Sequence, residues 1–428
     1  MKRIVEPSLK QIIQRPFLND QKVEKEVAKI IKRVRKEKDI ALFYYNQKLD
    51  NNQNENLVVS KEQLKEQAAL VDESLKKAIE IAASNIEKFH KEQVIKHPKV
   101  KIGEGITLWR EDRPIENVGI YVPGGSAPLF SSLLMLAIPA KIAGCKKIVV
   151  TTPSINGEAL NPALCYSALL CEVDEIYQVG GAQAIGALAY GTETIPSVDK
   201  IFGPGNRYVT EAKSQVSRVC AIDMPAGPSE VMVVIDKNSN YAFAAADLLS
   251  QAEHGPDSQI ALVVYCSDVI LAHQIIDEVE NHLKEQLKTL PRKEIATKVI
   301  DNGRAFVALD EKKLLEIIDN WAAEHLILQC DNYSEIAKKV NNAASLFLGP
   351  YSCESAGDYA SGTNHTLPTN FWARSHSGIS LQSFLKRLSF QEIAKEGLET
   401  LSETIVTLAG AEGLEAHSRA VKIRMEGK

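Results

Sequence analysis

From residue 118 onward, short β-branched runs alternate with helix-patterned segments, and this alternation restricts the fold more than any other feature of the chain. The first strand candidates are Val118–Val122, Lys147–Thr151, Glu175–Val179, Lys200–Phe202 and Glu230–Ile235. Helical stretches such as SSLLMLAIPAKIAG lie between them. Strands joined by helices of this length run parallel, so the pattern predicts βαβ units. A second series follows: Gln259–Tyr265, Ala305–Asp310, His325–Gln329 and Ser345–Gly349. Helical patterns around residues 240–252, 268–290, 311–322 and 333–342 separate its members.

Two α/β modules are the natural reading: two Rossmann-like domains with incomplete, mostly parallel sheets, flanked by helical N-terminal and C-terminal extensions. Near the start, Val23, Val27, Ile30, Ile31 and Val34 recur at helical spacing. A second helical stretch runs from about Lys61 to Gln93, and the polar DNNQNEN between them reads as a loop. After about residue 376 the chain reads as helical again. The expected division is an N-terminal helical extension over 1–19 and a first α/β domain from 20–118 with 237–375. A second α/β domain covers 119–236, and a helical tail covers 376–428.

The 428 residues suffice for more than one buried core. The formal net charge of -5 argues against nucleic acid or an anionic membrane as a bulk electrostatic partner. The N-terminus lacks the apolar core of a secretion signal, and no apolar run reaches the roughly 18–20 residues that span a bilayer. A soluble cytoplasmic protein acting on a small molecule is expected, with neither nucleic acid nor membrane as partner. The seven cysteines are scattered without a CxxC, which argues against a disulfide framework or a thiolate zinc site and reads them as small buried hydrophobes.

Five segments carry candidate chemistry. In SQAEHGPDSQ, Gln251 and His254 share one helix face. A histidine ring nitrogen is a good zinc ligand and a glutamine carbonyl oxygen a weaker one. The competing reading is a helix-terminal histidine beside the last carbonyls. The stretch ESAGDYASGTNHTLPT reads as a long polar loop containing Asp358 and His365. Asp358 offers an anionic oxygen, or caps its own turn. Adjacent Glu324 and His325 offer a water-activating acid and a proton shuttle, but neighbours on an extended segment point apart. Both serving one site needs an irregular backbone there, and a surface pair is the alternative. Glu412 and His417 lie in a helical tail that is either a solvated helix or a flap over a site built elsewhere. Finally, three glycine-rich segments, Tyr121–Leu129, Val179–Gly191 and Phe202–Lys213, each follow a strand and open a helix. Doubly wound folds bind phosphates there, although none reads GxGxxG.

In this order, IYVPGG, VGGAQAIGALAYGTE, VDKIFGPGN, MPAGPSE, LLSQAEHGPDSQ, AGDYASGTNHTLPT and EGLEAH resemble the motifs of histidinol dehydrogenases, from about residue 113 to 417. The resemblance implies oxidation of L-histidinol to L-histidine in two NAD-linked steps through an aldehyde. It implies one zinc per active site and a homodimer in which each tail completes the partner's site. It makes Gln251, His254, Asp358 and His417 the zinc ligands and Glu324 and His325 the catalytic pair. Ser229, His325 and Glu412, with the zinc ligands, fall at substrate-contacting positions. Tyr121, Gln183 and Asn206 fall at NAD-contacting positions. The zinc ligands and catalytic pair would then belong to the first α/β domain and NAD to the second. Ala323 stands where such proteins usually carry a proline before the pair. Competing readings are a zinc- and NAD-linked dehydrogenase of another polar alcohol such as a sulfonated diol, a zinc hydrolase using Glu324, and a silent binding protein.

Overall fold

The computed structural model describes residues 1–15, 21–124, 129–224 and 227–426. Two all-parallel sheets organise it. The larger has six strands in the spatial order Lys2–Val5, Arg304–Ala308, Gln259–Tyr265, Glu230–Ile235, His325–Leu328 and Ser345–Leu348. The smaller has five, ordered Glu175–Gln178, Lys147–Thr152, Asn117–Tyr121, Lys200–Phe202 and Ala221–Ile222. Within each, the N-terminal edge strand Lys2–Val5 apart, the chain lays down a central strand, adds neighbours on one side, then crosses to the other. The crossover falls between Asn117–Tyr121 and Lys200–Phe202 in one sheet, and between Glu230–Ile235 and His325–Leu328 in the other. Such switch points open crevices that ligands use.

Helices cover both faces of each sheet, so the central strands are apolar throughout: all six residues of EVMVVI are buried. In the five-stranded sheet Ile148 and Val150 face one apolar cluster while Val149 faces another. The helix Phe130–Ala143 is buried from Ser131 to Ala140, as a helix apolar on every side must be.

Every strand predicted from the sequence forms, but three expectations change. The N-terminal extension is not all helical. Lys2–Val5 is an edge strand parallel to Arg304–Ala308, and only Leu9–Ile12 is helix; residues 16–19 of the extension lie outside the described ones. The division of domains also differs. The helices Gln21–Glu37, Asp39–Asp50, Lys61–Ala69 and Glu73–Lys91 carry their apolar stripes onto the five-stranded sheet and its helices, so 20–118 groups with the second α/β unit. Conversely Glu230–Ile235 is the central strand of the six-stranded sheet, which moves the boundary ahead of residue 230. The stretch Lys61–Gln93 is two helices because the Asp72 carboxylate caps the second, accepting from the Leu75 N–H at 2.9 Å.

The tail is the third change. Leu385–Ile393 is a strand, paired antiparallel with Ile106–Pro114 along its whole length, and Val100–Gly103 completes this separate sheet. Phe390 stacks on Trp109 with ring centroids 5.2 Å apart, a cross-strand aromatic pair that favours the pairing. Helices Lys395–Ala411 and Glu415–Met425 follow it. All seven cysteines are free; against the expected burial Cys353 is exposed and Cys145 and Cys266 are only half-buried.

Candidate active site

The helix Tyr241–Ala252 follows the central strand Glu230–Ile235 and runs back beside it, so its C-terminal end lies at the amino end of the six-stranded sheet. Asn240 caps its start, accepting from the Ala242 N–H at 3.0 Å. At the far end Gln251 is fully buried, and neither its amide nitrogen nor its carbonyl oxygen has a hydrogen-bond partner. His254 follows one turn later, with its ring part-exposed.

Against this end sits Glu354–Tyr359, which is a short helix rather than the expected loop. Glu354 and Asp358 are four residues apart and so share a face. His254, Glu354 and Asp358 bring one ligand atom each to within 4.8 Å of one another. His254 Nε2 lies 3.9 Å from Asp358 Oδ2. Helix C-terminal carbonyls favour a cation at such a place.

Glu324 and His325 close the cluster from below. The helix Glu311–Trp321 ends at Ala322, which is left-handed at φ 50°, and the strand starts only at His325. Glu324 therefore lies before the regular strand, and the two neighbours need not point apart. Their side chains grip one peptide segment. Glu324 Oε2 accepts from the Glu230 N–H at 2.7 Å, and His325 Nδ1 lies 3.1 Å from the Glu230 carbonyl oxygen. That carbonyl only accepts, so Nδ1 carries the proton and Nε2 is left facing Asp358 Oδ1 at 3.5 Å. The two side chains approach to 3.7 Å and both are buried, which overturns the surface-pair reading.

The electrostatics are those of a site with too much negative charge. Burial pushes Glu324 up to about 8, against the pull of His325. Burial likewise pushes Glu354 up to about 8. Burial would lower His325, but Glu324, Glu354 and Asp358 outweigh it and raise the ring to about 10. For Asp358, burial is outweighed by the neighbouring His325, His365 and His254, and its pKa falls. Converging buried carboxylates, a histidine and an unpartnered glutamine amide are a donor set that fits a divalent cation.

Two predicted residues stay away from this cluster within the chain. Glu412 ends the helix Lys395–Ala411, His417 lies in the first turn of Glu415–Met425, and both are exposed. Ser229 is half-buried and immediately precedes Glu230.

The three predicted cofactor residues meet in one cavity of about 1020 Å³. Tyr121 ends the central strand of the five-stranded sheet, and its hydroxyl accepts from the Gly181 N–H at 3.1 Å. Gln183 lies in the first turn of Gly181–Tyr190 and is buried, with its carbonyl oxygen unpartnered. Asn206 caps Arg207–Val216, accepting from the Tyr208 N–H at 3.0 Å. Two helix N-termini thus open into the cavity, with Lys22, Lys25, Lys29 and Lys48 on its wall. That is a setting for a phosphate-bearing ligand. Residues 125–128 of the YVPGG loop and 225–226 of MPAGPSE lie outside the described residues.

Sequence reasoning missed two members of the site. Glu354 carried a signal, the four-residue spacing to Asp358. Glu230 contributes its backbone, which leaves no trace in a sequence.

A doubly wound α/β protein with a buried acid–histidine pair beside side chains that could hold a cation has, in class, the equipment of an enzyme that moves protons. The sequence model of histidinol dehydrogenase matches residues 13–425. Histidinol dehydrogenase of Bacteroides thetaiotaomicron is 48% identical over 429 residues, 99% of each chain. That of Vibrio cholerae is 48% identical over 425 residues, covering 98% of this chain and 96% of its own. The crystal structure of histidinol dehydrogenase from Elizabethkingia anophelis superposes with a TM-score of 0.95 at 46% identity, covering 100% of this chain and 98% of that one. The chain belongs to the histidinol dehydrogenase family.

Proposed function

We propose that this chain oxidises L-histidinol through L-histidinal to L-histidine, closing histidine biosynthesis, with zinc and NAD, as a cytoplasmic homodimer. The observation that carries the reading is the buried Glu324–His325 pair held against Gln251, His254, Glu354 and Asp358. No helix is long and apolar enough to cross a membrane among the described residues.

Gln251, His254 and Asp358 would hold zinc, with His417 of the partner's tail as the fourth ligand; the metal would supply a positively charged template for the substrate's imidazole and amine. NAD in the cavity at Tyr121, Gln183 and Asn206 would supply the hydride acceptor. The rest is work for the protein's side chains. The His325 Nδ1–H donates a hydrogen bond to the Glu230 carbonyl, so Nε2 receives the alcohol proton as the carbinol carbon loses hydride. A cation's charge set against Glu354 and Asp358 would weaken two of the carboxylates that raise the His325 ring, with Glu324 the largest and still beside it. Glu324 is anchored through Oε2, which leaves Oε1 to take a proton from the water that adds to the aldehyde. The hydrated aldehyde, RCH(OH)2, then loses a second hydride and two protons to give the carboxylate. Ser229 and Glu412 complete the substrate contacts.

The deciding experiment is stoichiometric. Histidinol supplied as the limiting reagent yields two NADH per molecule, activity is lost to a chelator and zinc restores it. One NADH per molecule, or product without NADH, overturns the reading.

A further inference from the structure

We infer that Arg15 and Glu230 are positioning residues for the Glu324–His325 pair, which ties the N-terminal segment of the chain to the chemistry. The inference rests on the catalytic reading of that pair given above.

Glu230 holds both catalytic side chains with its own peptide groups, the N–H on Glu324 and the carbonyl on His325. Where Glu230 sits therefore decides where the pair sits. Its carboxylate is fully buried. Oε1 lies in an ion pair 3.2 Å from Arg15 Nε and accepts from the Asn370 N–H at 3.2 Å and the Gln259 amide at 3.4 Å, while Oε2 accepts from Arg15 Nη2 at 3.4 Å. Arg15 is equally enclosed, its guanidinium stacked 3.6 Å from the Trp321 ring centroid and 4.5 Å from that of Phe371. The same guanidinium donates to the Trp321 carbonyl at 2.8 Å, three residues ahead of Glu324. One side chain thus fastens the two segments that meet at the pair: the start of the central strand, and the helix end that leads into Glu324. A buried ion pair kept only for stability is replaceable by apolar residues at little cost. This one is planar and stacked between two rings, with Nη2 shared between the Glu230 carboxylate and the Trp321 carbonyl, a geometry that a flexible point charge does not reproduce. A misplacement of about 1 Å at a catalytic group costs on the order of 100-fold in rate.

The test compares Arg15→Lys and Arg15→Met with Glu324→Gln in the full-length enzyme. The readouts are kcat and KM for histidinol, zinc content and the thermal midpoint. Arg15→Met lowers kcat about 10- to 100-fold with KM and zinc content within about twofold, because binding groups are untouched while the pair drifts. Arg15→Lys keeps the charge but cannot reach Glu230 and the Trp321 carbonyl together, so it recovers only part of the rate. A kcat within about twofold of the parent in Arg15→Lys overturns the inference, and that variant decides alone if Arg15→Met does not fold. Losses that fall on KM or zinc content overturn it as well. A fully active Glu324→Gln means instead that the reading of the pair has failed.

Discussion

The two sheets share a winding plan but use opposite ends. In the five-stranded sheet the cavity lies at the carboxyl ends, where Tyr121 closes a strand and Gly181 and Asn206 start helices. In the six-stranded sheet the acid–histidine cluster lies at the amino ends, where Glu230 and His325 open strands. There Gln251, His254 and Trp321 finish helices or lie just beyond them. The difference follows the helix dipole. The carboxyl end of a doubly wound sheet collects helix N-termini, which suit a phosphate; the amino end collects helix C-termini, which suit a cation. Each terminus is worth only about 0.3–1 kcal/mol, so the polarity biases a site and side chains make it. Four lysines against Glu26 and Asp50 around the cavity, and the carboxylates around His254, lean the charge in the matching sense at each end.

If proton transfer belongs to the amino end alone, His325→Asn gives the largest effect. A general base contributes about 100- to 10,000-fold, so kcat for histidinol falls in that range while KM for NAD stays put. A rise in NAD KM of matching size would break the separation. Glu324→Gln comes next. Its amide still reaches the Glu230 N–H through oxygen but cannot take a proton from water. Oxidation of supplied histidinal then falls about 100-fold, and the alcohol step, followed in a single turnover, falls less. Equal losses in both steps would remove the water-activating role.

Much of this comparison was readable in the residue string, for different reasons at the two ends. Parallel strands buried on both faces are continuous β-branched runs, so EVMVVI and QIALVVY announce themselves. LKRLSFQEI does not: it is largely exposed, its apolar residues keep no strand period, and its partner strand Ile106–Pro114 lies nearly three hundred residues earlier. The helices of 20–118 showed their apolar stripes but not their destination, since a stripe does not say which sheet it covers. At the site, Gln251 with His254 and Glu324 with His325 were legible as pairs. That Glu324 could join its neighbour depended on the left-handed Ala322 and a strand that starts one residue later.

The tail sets the next prediction, because the amino-end cluster as it stands in one chain lacks His417. His417→Asn keeps the fold, lowers zinc content and activity together, and raises the zinc needed for half activity about 10- to 100-fold. If the ligand comes from a partner, mixing His417→Asn with Glu324→Gln at a zinc level too low to support His417→Asn, and exchanging subunits, restores about a quarter of the parent rate. Half of randomly paired dimers are then mixed, and each mixed dimer has one intact site. No recovery in a mixture shown to have exchanged would place the whole site within one subunit.

The smallest effect belongs to the carboxyl end. The Tyr121 hydroxyl accepts one hydrogen bond, from the Gly181 N–H, at the mouth of a helix whose start opens into the cavity. In Tyr121→Phe that N–H stays within reach of water, so the loss is a single exchanged hydrogen bond of about 0.5–1.5 kcal/mol. Read as binding, this is a rise in NAD KM of roughly 2- to 10-fold. Because the phenol sits on the other sheet from the pair, kcat and histidinol KM should hold. An unchanged NAD KM would mean that the cofactor lies elsewhere. A histidinol KM that rises in step would mean that the two ends form one continuous pocket, with the substrate reaching across the switch points of both sheets.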